Sequence, residues 1–247
     1  MHRVLIAFAA SALAAHAAEI KVLAGSALDA PLRVLVPQFE RASGHKVRID
    51  SDGAIGAMAK RVERGDAADV LIVSPAQLAG LEKQGKIEAA TKRDVARTGV
   101  GLFVRKGAAK PDIGSVDAFK QTMLRAQSIG YNDPAAGAPV SLYLIELFKR
   151  LGIAAEMQSK TMVFKQRTER FAAVARGEVE IGFNQVAEIL SVPDVDLVGP
   201  LPTAIQRYTV FSAGVVSGSR HKDAAAAFVD FISSPDARGV MRAKGFE

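Results

Sequence analysis

Four short segments hold the residues best suited to chemistry. They are Ala24-Gly25-Ser26-Ala27, residues 52–56 (DGAIG), residues 132–141 (NDPAAGAPVS) and Lys165-Gln166-Arg167. Each lies where a β-like run gives way to a helical one. A small anion placed there meets unpaired backbone N–H groups and the positive end of a helix dipole. Gly25 lets the backbone approach closely, and Ser26 adds a hydroxyl. A serine at a helix start is most often only a cap, so the recurrence of such segments after successive strands is the stronger signal. Lys165 and Arg167 are cations at a helix start, where the dipole disfavours them, which argues for a binding role over a solvent-facing one. A guanidinium pairs two of its N–H groups with the two oxygens of a carboxylate. Arg167, with Lys165, Asn184 and Gln185, therefore points to a di- or tricarboxylate. A tetrahedral oxyanion is better served by neutral hydroxyls and amides.

Other chemistries find little support. The chain has no cysteine, which excludes disulfides, thiol catalysis and a lipid-modified cysteine. His45 and His221 follow Gly44 and Arg220 in loop-like stretches and read as exposed. No Gly-rich phosphate loop, metal-spaced His/Asp/Glu set or nucleophile elbow occurs, so neither a metal nor a cofactor is expected. The net charge of +6 favours anions by steering. The basic residues are scattered and aromatics make up only 6%, so no nucleic-acid surface is expected.

The elements that must position these residues alternate along the chain. Strands are expected at 19–24, 46–50, 70–74, 100–105, 128–132, 161–164, 180–184, 195–202 and 209–216. Helices are expected at 54–64, 75–84, 139–151, 166–176, 223–232 and 235–244, and where Leu28, Leu32, Leu35 and Phe39 share one face before Gly44. The run VLIVS at 70–74 reads as a central strand covered on both faces. This order implies α/β units. With no Gly/Ser linker, two lobes would have to be joined by strands. Ahead of these elements, Met1-His2-Arg3, a short apolar run and small residues up to Ala18 read as a cleavable secretory signal over residues 1–18. The run is too short to span a bilayer.

The stretches AGSALDAPLRVLVPQFERASGHKV (24–47), RVERGDAADVLIVSPAQLAGLEKQGKI (61–87), NDPAAGAPVSLYLIELFKRLGI (132–153) and FVDFISSPDARGVMRAKGFE (228–247) resemble the periplasmic molybdate-binding proteins of ABC importers. The resemblance implies a two-lobed α/β fold. Each lobe would have a mostly parallel sheet flanked by helices, two crossing strands would join them, and the ligand would lie between. Residues 19–97 with 207–247 would form one lobe and 98–206 the other. It also implies a periplasmic protein, monomeric by family default, that serves importer membrane subunits. Carried over by position, the ligand group comprises Ser26, Ala27, Ala54 and Ile55 from the first lobe. From the second come Val140, Ser141, Arg167, Asn184 and Gln185. The chain departs from that pattern in three places. Gly-Ala-Ile-Gly replaces a serine segment, Gln185 stands at the family's tyrosine, and the basic pair Lys165/Arg167 is unusual there. The same fold resembles aconitate isomerase, an enzyme that needs only a tricarboxylate cleft and a base to move an allylic proton. Glu169 and Lys165 are the candidates for that base.

Overall fold

The computed structural model describes residues 17–51, 55–136 and 139–247. The first described strand is β1 (Glu19–Ala24), buried at Ile20 and from Val22 to Ala24. Helix α1 (Asp29–Ser43) turns Leu32, Leu35 and Phe39 inward and stops at Gly44, whose φ of 74° is left-handed. Then come β2 (Lys46–Asp50), α2 (Ile55–Glu63), β3 (Val70–Val73) and α3 (Pro75–Lys83). Every residue of β3 is buried, as a strand with helices on both faces requires. At the start of α3 the Ser74 hydroxyl accepts from Gln77 N–H while the Gln77 side chain accepts from Ser74 N–H, a reciprocal cap.

The 13-residue β4 (Arg93–Arg105) leads into the middle of the chain. There α4 (Val116–Arg125), β5 (Ile129–Asn132), α5 (Pro139–Arg150), α6 (Ala154–Lys160) and β6 (Thr161–Phe164) follow in turn. Next are α7 (Arg167–Arg176), β7 (Ile181–Gln185), α8 (Val186–Ile189) and β8 (Val195–Pro200). The chain ends with β9 (Tyr208–Val215), α9 (Lys222–Ile232) and α10 (Pro235–Ala243). Among these, α4, α6 and α8 escape the sequence pattern. α6 and α8 span only 7 and 4 residues, too few for a 3.6-residue period to show.

The strands run in the order β2-β1-β3-β9-β4-β7-β5-β6, with β8 on β4. Each end of this sheet is a parallel trio, β2-β1-β3 and β6-β5-β7. Strands β4 and β9 lie antiparallel between them. On one face of the first trio, α1, α9 and α10 close a core that includes Phe39, Phe228 and Met241. Phe39 meets Phe228 edge-on with ring centroids 5.1 Å apart, and burying each ring stabilises by roughly 1.5–3 kcal/mol. The other face is covered by α2 and α3 through Met58, Val62 and Leu78. The second trio is likewise enclosed, by α4, α5 and α6 on one side and α7 on the other.

β4 joins the two halves. Its Arg93–Gly99 portion pairs with β9, whereas Gly101–Arg105 pairs with β8 and Val100–Phe103 with β7. The return strand passes alongside at Gln206. The Gln206 carboxamide oxygen accepts from Val100 N–H and Arg207 N–H, both at 2.8 Å, and its Nε2 donates to the Val100 carbonyl at 3.0 Å. A Cβ on Gly99 would come within 2.7 Å of that amide, so only glycine leaves room for this clasp.

Candidate functional site

Residues that follow the carboxyl ends of β1, β2, β6 and β7 line one cleft, the place where open α/β sheets collect ligands. On the first side, β1 runs into a single 3₁₀ turn, Ser26–Leu28, with Gly25 before it. A Cβ on Gly25 would lie 2.4 Å from Ile55 Cγ2. The absent side chain is therefore what lets the starts of the Ser26 turn and α2 touch. Across the cleft, the Ser26 hydroxyl donates to Glu188 Oε1 on α8 at 3.4 Å. The cleft has a volume of about 320 Å³, and Ser26, Ala27, Asp29, Arg167, Glu188 and Ser191 are among its lining residues. At its rim Asp29 accepts from Arg33 Nε at 2.7 Å and from the Ser51 hydroxyl at 2.9 Å. Partial burial raises the Asp29 carboxyl's pKa, but those two hydrogen bonds and the Arg33 charge outweigh it and hold the group below its usual range.

The second side is polar and deeply buried. Asn132 ends β5, Asn184 and Gln185 end β7, and Ser141 sits in the first turn of α5. Arg170, on α7, is 1% exposed. Its Nη1 donates to Asn132 Oδ1 at 2.6 Å, and its guanidinium carbon lies 5.1 Å from the Phe171 ring centroid and 6.0 Å from that of Phe103. Its remaining nitrogens, Nε and Nη2, have no hydrogen-bond partner; nor do Ser141 Oγ, Asn184 Nδ2 and Gln185 Oε1. Leaving a buried polar group unpaired costs about 1–3 kcal/mol, and more when it is charged. Five such atoms, on α5, α7 and the end of β7, are donors and acceptors suited to a polar ligand. Desolvation lowers the Arg170 pKa to about 10, the Glu188 charge opposes that shift, and the Arg167 charge adds to it. Arg170 thus remains a cation at neutral pH.

The sequence-derived residues fall into three sets. Ser26, Ala27 and Arg167 line the cleft, with Ile55 against Gly25. Ser141, Asn184 and Gln185 supply three of the unpaired atoms, and Val140 is buried beside Ser141 at the start of α5. Ala54 lies outside the described residues. Lys165 and Glu169 are exposed and are not among the residues lining the cleft. His45 differs from its expectation of exposure: it is half-buried, and its Nδ1 accepts from Ala18 N–H at 3.2 Å.

Two residues escape the sequence argument. Arg170 carries a readable signal, because it falls on the same helical stripe as Phe171, Ala173 and Val174, all buried; an arginine inside an apolar stripe needs a reason. Glu188 sits in a four-residue helix and has no such signal.

Comparison with known proteins agrees with this fold. The chain is 33% identical over 232 residues to aconitate isomerase from Pseudomonas sp., covering 92% of this chain and 87% of that one. It is 26% identical to the molybdate-binding protein ModA of Azotobacter vinelandii, over 100% of this chain and 97% of the relative. Among solved structures, the substrate-binding domain assigned to a molybdenum ABC transporter from Clostridium difficile superposes with a TM-score of 0.78. That match has 17% identity and covers 94% of this chain and 99% of the other. The family model for bacterial extracellular solute-binding proteins matches residues 20–247, and the chain belongs to that family.

Proposed function

We propose that this protein is exported by residues 1–18, acts outside the inner membrane, and captures a small anion in the cleft between its two lobes for an ABC importer. The observation that carries this reading is the set of buried, unpaired polar atoms on Ser141 of α5, Arg170 of α7, and Asn184 and Gln185 at the end of β7. Ser26 contributes a hydroxyl from the opposite wall. Residues 19–97 with 207–247 are taken as one lobe and 98–206 as the other, supported by the packing of α9 and α10 against β1 and β9. The chain is taken to work as a monomer. A thermal-unfolding screen of the mature protein against molybdate, tungstate, sulfate, phosphate, citrate and both aconitate isomers tests this. A ligand at 100 times its Kd adds about 2.7 kcal/mol to the folded state. No stabilisation by any of these anions would refute the reading.

Glu188 favours a second reading. Its carboxylate lines the cleft and accepts from the Ser26 hydroxyl at 3.4 Å. A relative 33% identical is an aconitate isomerase. On that chemistry, a base takes a proton from the CH2 group of the tricarboxylate, the double bond migrates one position, and the proton returns at the far end of the allyl unit. Incubating the protein with trans-aconitate and following the cis isomer separates the two readings. Turnover abolished by Glu188→Gln would establish the enzyme, and an unchanged ratio of isomers would leave the binding protein.

A further inference from the structure

Arg170 is oriented rather than merely buried. Asn132 Oδ1 holds Nη1 at 2.6 Å, and the rings of Phe171 and Phe103 pack near the guanidinium. The two nitrogens left over, Nε and Nη2, form one edge of the guanidinium plane, the edge that grips a carboxylate with two parallel N–H···O bonds. Both are buried and unpartnered. Among the described residues no protein carbonyl, carboxylate or hydroxyl pairs with either nitrogen. The Phe171 ring centroid lies 5.1 Å from the Arg170 guanidinium carbon and 5.9 Å from that of Arg167, so the two guanidiniums share one ring. Arg167 lies three positions earlier on α7, about 5–6 Å away between Cβ atoms on the same helix surface, and itself lines the cleft.

We propose that the Nε–Nη2 edge of Arg170, set by Asn132, is the seat of one ligand carboxylate, with Arg167 receiving a second, so that the ligand is a di- or tricarboxylate. This rests on the anion-binding reading and narrows it. A tetrahedral dianion such as molybdate would use only part of the planar fork. A monocarboxylate would fill the seat and leave Arg167 unused.

The test is calorimetric titration of the mature protein with citrate, trans-aconitate, succinate, acetate, molybdate and sulfate, repeated on Arg170→Lys and Arg167→Lys. Far-UV circular dichroism and unfolding midpoints without ligand establish that each variant is folded. Citrate or trans-aconitate should bind at least tenfold tighter than acetate, molybdate or sulfate. Arg170→Lys, which keeps the charge and loses the fork, should weaken that binding on the order of 10- to 100-fold, and Arg167→Lys less. Tight molybdate or sulfate binding with weak carboxylates would overturn the carboxylate seat while leaving the anion-binding reading standing. Carboxylate binding indifferent to a folded Arg170→Lys would overturn Arg170 as its seat. No binding by any of the six anions would overturn both. If Arg170→Lys does not fold, the wild-type ranking decides alone.

Discussion

At the scale of single residues, the site divides into a hydroxyl, a carboxylate and a buried cation. Ser26 donates to Glu188 in the structure, so it offers its hydroxyl to an incoming anion only by giving up a long, 3.4 Å bond. Ser26→Ala is expected to cost on the order of 1.5–3 kcal/mol of ligand affinity, read by titration. Unchanged affinity would make Ser26 a turn residue alone. Arg170 sets a pH dependence. Its pKa is lowered to about 10, and a bound carboxylate would raise it again. Binding of a fully ionised ligand should therefore be flat from pH 7 to 9 and then fall about tenfold per pH unit above 10, as the free protein loses the proton that the complex keeps. Affinity that stays level through pH 10.5 in folded protein would contradict a guanidinium seat.

At the scale of elements, two glycines decide whether the pieces meet. Gly25→Ala places a Cβ 2.4 Å from Ile55 Cγ2, so either the Ser26 turn or the start of α2 must move. The expected result is a loss of stability of about 1–3 kcal/mol in urea unfolding, together with weaker binding. At the crossing, Gln206→Ala removes an acceptor shared by two backbone N–H groups, of which Val100 N–H keeps the Arg207 carbonyl at 3.2 Å, and should cost about 0.5–1.5 kcal/mol. Most of this framework is legible in the sequence. The VLIV run of β3, the Leu32/Leu35/Phe39 stripe of α1 and the Gly44 stop each carry a local period or a turn residue with one physical meaning. The clasp is not legible, because Gln206 bonds to Val100, 106 positions away, and nothing local distinguishes it from a surface glutamine. The site shows the same division. Ser26, Arg167 and Gln185 announce themselves at strand-to-helix junctions, whereas Glu188 gains its role only when α8 is laid beside the Ser26 turn.

At the scale of the whole molecule, one long strand and one return strand carry both halves, and the cleft lies where their parallel trios point. No described helix is long and apolar enough to cross a membrane, and the positive net charge favours the approach of anions in general. The molecule has another basic groove, on the far side of the second trio, lined by Arg105, Lys110, Arg125 and Arg176. Arg176 is already paired with Glu178 there, and no orphaned buried atom marks that groove. The two places make different demands on where an anion settles. A crystal structure of the mature protein grown with citrate or trans-aconitate is the most direct measurement. The account predicts a carboxylate in the cleft with its two oxygens about 2.7–2.9 Å from Arg170 Nε and Nη2. A ligand seated on the Arg105–Arg125 groove, or in the cleft with the Arg170 edge still empty, would contradict it.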